Sequence, residues 1–192
     1  MELILVRHAE PTDAPLDPPL SQRGRVQARA IAAWLTRDEL DVIVSSPARR
    51  VRETAAVTAG RAGLEVFVEE RLREAQPAAE PYRALEGIRA FDPDAYRDRV
   101  AAYRDGSRWA GLAERVHPAL DEWASKVRGG RLAVFAHGST INVFAARVLG
   151  LENAAFLEAS FGSGHRFLIS SGGVRSVRSL NETAYLSGEL LG

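Results

Sequence analysis

The sequence contains no cysteine, which excludes disulfide bonds, zinc sites built from thiolates and catalysis by a cysteine nucleophile. Lysine is almost as rare, because Lys126 is the only one among 25 basic side chains and all the others are arginines. A planar guanidinium group binds phosphate through two parallel hydrogen bonds, a geometry that an ammonium group lacks. The same bias also arises in a genome rich in G and C, so composition alone does not assign a ligand.

The sequence also lacks a net charge, since 25 acidic side chains balance the 25 basic ones. Proteins that bind nucleic acids or anionic membranes by general electrostatic attraction are usually basic, so neither partner is expected. No apolar run approaches the about 20 residues that span a membrane. The first residues, MELILV, lack the basic segment and extended apolar stretch of a signal peptide. We therefore predict a soluble, cytoplasmic protein.

Short apolar runs separated by helical periodicity predict the organisation of the chain. The runs lie at residues 2–6, 41–45, 65–69 and 131–136, and residues 165–170 and 174–179 flank a glycine turn typical of a hairpin. Strands that alternate with helices form a mainly parallel sheet covered on both faces. We predict an α/β fold, a three-layer α/β/α sandwich with a mixed, mainly parallel sheet, in a single domain over residues 1–192.

Two serines and a proline predict where helices begin and where one is interrupted. Ser46 and Ser139 stand at the starts of helical patterns and are expected to cap them, with Pro47 in the first helical position. Pro118 lies inside the helical pattern of residues 112–127, where it is expected to kink or split the helix.

Basic side chains follow two of the predicted strands at the point where each strand ends. Arg7 and His8 come directly after the first strand, and His137 follows the fourth, just ahead of a helix start. The carboxyl ends of strands in an open α/β sheet form the usual ligand-binding edge, so these side chains are expected to meet there. The alternative for each histidine is a purely structural role, and the spacing alone leaves both readings open.

Two further candidates are expected near the same edge. The segment SSPARRVRETA (45–55) brings Arg49, Arg50 and Arg52 close to it; one of them should face the site, and the spacing does not say which. Glu74 follows the third strand in the segment RLREA. Each of these residues is also consistent with a solvated surface charge.

Histidine, arginine and glutamate side chains at one edge point to phosphoryl transfer. Arginines and a helix amino terminus bind phosphate. A neutral imidazole attacks phosphorus to form a covalent intermediate, and a carboxylic acid protonates the leaving oxygen and then activates water. Nearby arginines also disfavour protonation of His8, which keeps its lone pair available. No pair of metal ligands shows a recognisable spacing, so we expect neither a metal nor another cofactor.

Five segments of the chain resemble the histidine phosphatase superfamily, whose fold is that of phosphoglycerate mutase. They occur in the family's order and span nearly the whole chain: LVRHAE (5–10), LSQRGRVQA (20–28), SSPARRVRETA (45–55), VFAHGST (134–140) and LNETAYL (180–186). The Arg-His segment alone is a weak signal, whereas the five together are highly specific. The resemblance implies this fold and a chemistry that needs no metal.

The resemblance also implies a role for each candidate residue. His8 matches the nucleophile that becomes phosphohistidine, and Arg7 matches the phosphate-binding arginine before it. Arg50 matches the second phosphate-binding arginine, and His137 matches the second histidine of the phosphate pocket, with roles in catalysis and binding. Glu74 matches the proton donor of the branch whose acid follows the third strand.

Two departures from the family pattern concern the substrate. After Glu74 the chain reads AQPAAEPYRALEG, where many members have a Gly-x-Trp-Glu-Gly stretch. We predict that residues 75–110 form a substrate-selecting lid. The residues after His8 do not resemble the asparagine-rich loop of glycolytic mutases, and the longer insertions of those enzymes are missing, which favours a phosphatase over a mutase.

We therefore predict a metal-independent phosphomonoester hydrolase that acts through phosphohistidine at His8 on a small phosphorylated metabolite. Three alternatives remain open: phosphoglycerate-mutase-type phosphoryl transfer, a protein phosphohistidine phosphatase, and a catalytically silent phosphate-binding module. The sequence identifies neither the substrate nor the oligomeric state, so a homodimer remains open. It also leaves the role of His165 open.

Overall fold

One mixed sheet lies at the centre of the computed structural model, which describes residues 1–13, 16–74, 92–104 and 107–188. Its strands are β1 (Glu2–Arg7), β2 (Val42–Ser45), β3 (Val66–Val68), β4 (Arg131–Ala136), β5 (Gly164–Ile169) and β6 (Arg175–Glu182). The helices are α1 (Gln22–Leu35), α2 (Arg49–Ala62), α3 (Pro93–Arg104), α4 (Ser107–Lys126) and α5 (Gly138–Leu149), and a single 3₁₀ turn covers Glu70–Leu72.

The strands are arranged in the order β3-β2-β4-β1-β5-β6. The pairs β2–β3, β2–β4 and β1–β4 are parallel, whereas β5 is antiparallel to β1 and β6 is antiparallel to β5. The prediction of a mixed, mainly parallel sheet with an antiparallel hairpin at one side is therefore confirmed. Because β1, β2 and β4 run side by side in the same direction, their carboxyl ends meet at one edge.

Apolar residues on both faces of the sheet produce the three layers. Along β1, Leu3 and Leu5 are fully buried in a cluster with α4 and α5. The alternate residues Ile4 and Val6 are buried in a second cluster with α1 and α2. Side chains of a strand point alternately to opposite faces, so a continuous apolar run is the pattern of a strand covered on both sides. This arrangement confirms the predicted α/β/α sandwich.

Helix α4 continues through Pro118, so the expected split does not occur. Proline removes one hydrogen bond from a helix interior and crowds the preceding turn. Here Val116, Ala119 and Leu120 beside it are fully buried against the core, and this burial stabilises the helix across the proline. None of the described helices combines the length and apolar character needed to cross a membrane. Of the predicted lid, residues 75–91 and 105–106 lie outside the described residues.

Neither of the predicted serine caps forms. Helix α2 begins at Arg49, two residues after Pro47, and its capping position is occupied by Ala48 without a side-chain hydrogen bond. The Asp17 carboxylate, from the loop after β1, instead accepts a hydrogen bond from the Arg49 backbone N–H at 2.7 Å. Helix α5 is preceded by His137, again without a side-chain cap. The hydroxyl groups of Ser46 and Ser139 are therefore available for contacts other than capping.

Candidate active site

The ends of three parallel strands bring the predicted residues together. Arg7 pairs with Ala136 at the ends of β1 and β4. The next residue, His8, continues the pairing, because its backbone N–H donates to the Ala136 carbonyl oxygen at 3.0 Å. Ser46, just beyond β2, donates its N–H to the carbonyl oxygen of Phe135 at 3.0 Å. His8, Ser46 and His137 thus lie next to one another at the carboxyl edge of the sheet.

The hydrogen bonds of His8 define which ring nitrogen carries its proton. The side chain is buried, and Nδ1 lies 2.9 Å from the carbonyl oxygen of Ala9, which can only accept. On the other side, Nε of Arg50 donates to Nε2 of His8 at 3.2 Å. A guanidinium group cannot accept, so Nδ1 carries the proton and Nε2 presents its lone pair.

The electrostatic surroundings keep His8 neutral. Burial lowers the pKa of His8 well below its ordinary value, and the positive charge of Arg50 lowers it further, followed by smaller effects of His137 and Arg7. An imidazolium ion in this position would be both desolvated and repelled by the arginines. The unprotonated, nucleophilic form is therefore the stable one at neutral pH.

Arg50 is the arginine that faces the site. Its side chain is buried, and besides the contact with His8 its Nη2 lies 3.3 Å from Nδ1 of His137. Arg52 is exposed, and Arg49 points to the surface, where its Nε donates to Glu53 at 2.8 Å. The position of α2 relative to the sheet edge therefore determines which of the three arginines, Arg49, Arg50 or Arg52, faces the site.

Thr54 connects the helix that carries Arg50 to the segment after β1 that contains His8. Its hydroxyl donates to the Arg50 carbonyl oxygen at 2.7 Å and accepts from the Ala9 backbone N–H at 3.1 Å. The side chain is fully buried, so these contacts are not exchanged with water. This buried threonine links the two residues on either side of the pocket.

Arg7 is held from the side of β5. Its guanidinium carbon lies 3.9 Å from the centre of the Phe161 ring, and its Nη1 donates to the carbonyl oxygen of Ala159. Its backbone N–H donates to the Ser163 carbonyl oxygen at 3.0 Å. Stacking on an aromatic ring suits the flat guanidinium group and orients it while leaving its edge able to bind oxygen atoms.

His137 and Glu74 complete the set. Nε2 of His137 lies 2.8 Å from the Ser46 hydroxyl, and Nδ1 lies 3.2 Å from Oε2 of Glu74. Burial lowers the pKa of His137 to about 3, although the Glu74 carboxylate opposes this shift. The contact between them is therefore one between Glu74 and a neutral ring rather than an ion pair. The other oxygen of Glu74, Oε1, accepts a hydrogen bond from the Ser139 hydroxyl.

The structure thus brings all the predicted side chains to one edge: Arg7, His8, Arg50, Glu74 and His137. The amino terminus of α5 lies at the same edge, with its first N–H groups unpaired within the helix, and adds positive potential. Within the described part of the chain, no group of three or more histidine, aspartate or glutamate side chains is arranged to hold a metal ion. This combination of cations and neutral imidazoles is suited to a phosphate dianion.

Comparison with known proteins identifies the family. A family model of the histidine phosphatase superfamily (branch 1) matches residues 3–181. The chain belongs to this superfamily. Phosphoserine phosphatase 1 of Hydrogenobacter thermophilus is 32% identical over 168 residues, which cover 81% of this chain and 80% of that protein. A probable phosphoglycerate mutase of Escherichia fergusonii is 27% identical over 163 residues, which cover 79% of this chain and 76% of that protein.

The fold of this histidine phosphatase is also found in solved structures. A mycobacterial glucosyl-3-phosphoglycerate phosphatase in complex with inorganic phosphate is 27% identical, has a TM-score of 0.79, and is matched over 97% of this chain and 99% of that one. The predicted superfamily, the phosphoglycerate-mutase-like fold and the enzymatic class of phosphoric monoester hydrolase are thereby confirmed.

His165 lies behind the pocket of this histidine phosphatase and supports it. The ring is fully buried, with Nε2 3.0 Å from the Ser163 hydroxyl, and Nδ1 accepts from the Asn181 backbone N–H at 3.2 Å. Ser163 in turn accepts the backbone N–H of Arg7. The role left open for His165 is therefore to hold the chain segment against which Arg7 packs.

We expect His165 to make the protein less stable in acid. Burial, with a smaller effect of Arg7, lowers the pKa of His165 to about 3 from 6.5. Between these values the unfolded chain binds a proton that the folded protein does not. The free energy of unfolding therefore falls as the pH falls, by about 1.4 kcal/mol per pH unit for this group.

Urea unfolding of the wild type and of His165→Gln at several pH values measures this effect. The variant cannot titrate at this position, so between about pH 4 and pH 6 its stability should decline less steeply, by about 1.4 kcal/mol per pH unit. Equal slopes in the two proteins would contradict a buried, neutral His165. The comparison uses slopes, so a constant loss of stability in the variant does not affect it.

Sequence reasoning missed the residues that hold the predicted ones in place. The sequence predicts caps at Ser46 and Ser139, whereas in the structure Ser46 contacts His137 and Ser139 contacts Glu74. Thr54 and Phe161 carried no signal beyond a helical pattern and a loop. For Ser46, the available signal was its position directly after a strand at the ligand-binding edge.

Proposed function

We propose that this chain hydrolyses phosphomonoesters through a phosphohistidine formed on Nε2 of His8. The observation that carries the proposal is the geometry of His8, a buried imidazole whose Nδ1 lies against the carbonyl oxygen of Ala9 and whose Nε2 accepts from Arg50. A nucleophile must be unprotonated, and this histidine is maintained in that form at the point where two arginines can bind a phosphate group. Phosphoryl transfer depends mainly on such positioning and charge stabilisation.

In the first step, the lone pair on Nε2 of His8 forms a bond to phosphorus as the bond from phosphorus to the ester oxygen breaks. Arg7 and Arg50 bind the equatorial phosphoryl oxygens, and neutral His137 borders the same group. The leaving oxygen takes a proton from the Glu74 carboxyl group and departs as an alcohol. The products of this step are the alcohol and the phosphorylated histidine.

In the second step, water attacks the phosphorus of phosphohistidine. Glu74, now ionised, takes a proton from the water as the new bond to oxygen forms. The bond between Nε2 and phosphorus breaks, its electron pair returns to the imidazole, and inorganic phosphate leaves. Glu74 is again protonated at the end of the cycle, so its partner groups must accommodate both ionisation states.

The substrate that we propose is a small phosphorylated metabolite. The relatives support this class, because one is named a phosphoserine phosphatase and another a glucosyl-3-phosphoglycerate phosphatase. Residues 75–110 remain our proposal for the lid that selects the alcohol portion. Such a substrate supports a cytoplasmic location, and the balanced charge of the chain supports the absence of nucleic acid and membrane partners. A homodimer remains a prediction, which light scattering of the purified protein tests.

Turnover in excess chelator tests the proposed function. The purified protein should release phosphate from 4-nitrophenyl phosphate and from some members of a panel of phosphorylated metabolites, at rates that the chelator does not change. Acid-sensitive, base-stable label on the protein should appear when turnover is quenched. Activity confined to a phosphohistidine-bearing protein would favour the protein phosphatase. Stabilisation by phosphate esters without any turnover would favour the silent binding module.

A mutase is the second candidate, because several relatives are named probable phosphoglycerate mutases. Mutase and phosphatase share the phosphohistidine step and differ in the acceptor, which is a second hydroxyl group or water. A coupled assay for phosphoglycerate isomerisation separates them. Isomerisation faster than phosphate release would replace the hydrolase by the mutase.

We expect Glu74→Gln to impair the enzyme according to the leaving group. Glutamine retains the shape of the side chain but has no proton to give. General acid catalysis contributes about 10²- to 10⁴-fold, so kcat/KM for alkyl phosphates should fall within this range. 4-Nitrophenolate leaves without protonation and should be affected much less. Equal losses on the two types of substrate would contradict the acid role of Glu74.

A further inference from the structure

Ser139 contacts the carboxyl group of Glu74 from the first turn of α5. The Glu74 side chain is held at both oxygens, because Oε1 accepts from the Ser139 hydroxyl and Oε2 lies 3.2 Å from Nδ1 of His137. Its backbone carbonyl oxygen accepts from Nη2 of Arg115 at 3.1 Å. About a quarter of the Glu74 side chain, 23%, remains exposed.

The Ser139 hydroxyl is not used by its own helix. The capping position of α5 is His137, and no side chain caps this helix. Ser139 is 1% exposed, so water does not compete for its hydroxyl group. Capping therefore does not explain why a buried hydroxyl group lies at this position of the helix, whereas the hydrogen bond to Glu74 does.

A hydroxyl group is a suitable partner for a carboxyl group that changes its protonation state. It donates to a carboxylate and accepts from a carboxylic acid, so the contact persists in both forms. Glu69 in the same protein shows the opposite arrangement, because Arg71 donates to both of its oxygens, at 2.8 and 2.7 Å. These hydrogen bonds lower the pKa of Glu69 to about 2, which keeps it ionised. A guanidinium partner would prevent Glu74 from acting as an acid.

We propose that Ser139 is a positioning residue that holds the Glu74 carboxyl group in place for proton transfer to the leaving oxygen and from the attacking water. The inference rests on the proposed function. Ser139 touches neither phosphate nor leaving group in this assignment and acts through Glu74 alone. Its removal should therefore reproduce part of the effect of Glu74→Gln, with the same dependence on the leaving group.

The test compares kcat/KM of Ser139→Ala on two substrates, 4-nitrophenyl phosphate and the most active alkyl phosphate of the metabolite panel. A catalytic group that is displaced by about 1 Å loses up to about 100-fold in rate, so we expect a loss of about 10- to 100-fold on the alkyl phosphate. On 4-nitrophenyl phosphate the loss should stay within about twofold, because that leaving group needs no proton. A purely structural defect would lower both values together.

Two further variants make the test specific. In the Glu74→Gln background, Ser139→Ala should cause no additional loss, since residues that act as a unit are not additive. Thr140→Val is the matched control, because Thr140 is the next residue, is fully buried, and its hydroxyl has no hydrogen-bond partner in the described part of the chain. It should retain wild-type selectivity between the two substrates.

The outcomes separate this inference from the function on which it rests. The positioning role would be overturned if Ser139→Ala lowered kcat/KM equally on both substrates, or if it lowered kcat/KM in the Glu74→Gln background as much as in the wild type. Neither result would contradict the proposed hydrolase activity. Unchanged activity of Ser139→Ala on the alkyl phosphate would also overturn the positioning role. A wild-type protein that turns over no phosphomonoester would overturn the proposed function itself. Melting temperatures of all variants identify any that fold poorly.

Discussion

Replacement of His8 by alanine is expected to lower kcat for every phosphomonoester by about 10³- to 10⁶-fold, the range found when a nucleophile is removed. Alanine removes the Nε2 lone pair, so no bond to phosphorus can form. In the proposed mechanism Arg7, Arg50 and His137 still bind phosphate, but none of them has an atom that replaces the nucleophile. Steady-state turnover of 4-nitrophenyl phosphate measures the loss, and acid quenching shows whether the labelled phosphoprotein disappears.

His117→Gln is the matched control for His8→Ala. His117 is a partly buried histidine of α4 whose Nε2 lies 3.1 Å from the Val143 carbonyl oxygen, within the layer formed by α4 and α5. Its replacement removes one imidazole at a distance from the pocket and should leave turnover and phosphoprotein formation intact. A phosphorylated protein that persists in His8→Ala would assign the nucleophile to another residue.

The fold could be predicted from the sequence because its strands are continuous apolar runs. After their first, charged residue, the segments ELILV in β1 and RLAVFA in β4 are apolar at successive positions, which requires cover on both faces of the sheet. Arg7, His8 and His137 then follow from topology, because the residue after each parallel strand lies at the ligand-binding edge. The ring centres of His8 and His137 are 5.4 Å apart although the two residues are 129 positions apart in the sequence.

The choice among the arginines of α2 could not be predicted, because it depends on where the helix begins. With Pro47 in the first helical position, as expected, the helix would start two residues earlier than it does. The orientation of consecutive residues differs by about 100° on a helix, so Arg49 and Arg50 point in different directions. At the observed start, the carboxylate of Asp17, a loop residue from another part of the chain, accepts a hydrogen bond from the Arg49 backbone N–H.

The roles of the two serines were also beyond sequence reasoning. A serine near a helix start satisfies either a backbone N–H or a neighbouring side chain, and local pattern does not distinguish these uses. Ser46 contacts His137 and Ser139 contacts Glu74 because β2, β4 and the segment after β3 end side by side. Such contacts depend on residues that are close in the fold but distant in the sequence, and the spacing of residues does not identify them.

Replacement of Arg50 is expected to have the second large effect, on phosphate binding and on the ionisation of His8. Its Nε and Nη2 lie 3.2 and 3.3 Å from the two pocket histidines. In the proposed assignment, Arg50→Gln removes a charge-assisted contact with phosphate, worth about 1.5–3 kcal/mol, or roughly 10- to 150-fold in KM and in the inhibition constant of inorganic phosphate. Steady-state kinetics with phosphate as competitive inhibitor measure both quantities.

The pH profile of Arg50→Gln gives an independent readout. After burial, Arg50 is the largest cause of the lowered pKa of His8, so its removal should raise this pKa toward the ordinary value of 6.5. Protonation then occupies the Nε2 lone pair at a higher pH, so the acidic limb of the pH profile of kcat/KM should move to higher pH. Titration of the His8 ring by NMR follows the same shift directly.

Arg52→Gln provides the comparison that isolates the position of the charge. Arg52 lies on the same helix, is exposed, and its replacement changes the net charge of the protein by the same amount. If Arg50 acts through direct contact, Arg52→Gln should leave KM, phosphate inhibition and the acidic limb unchanged, since exposed charges are screened by water and salt. Equal changes of KM, phosphate inhibition and the acidic limb in the two variants would mean that His8 responds to the general charge of α2. They would also mean that Arg50 does not bind phosphate directly in this enzyme.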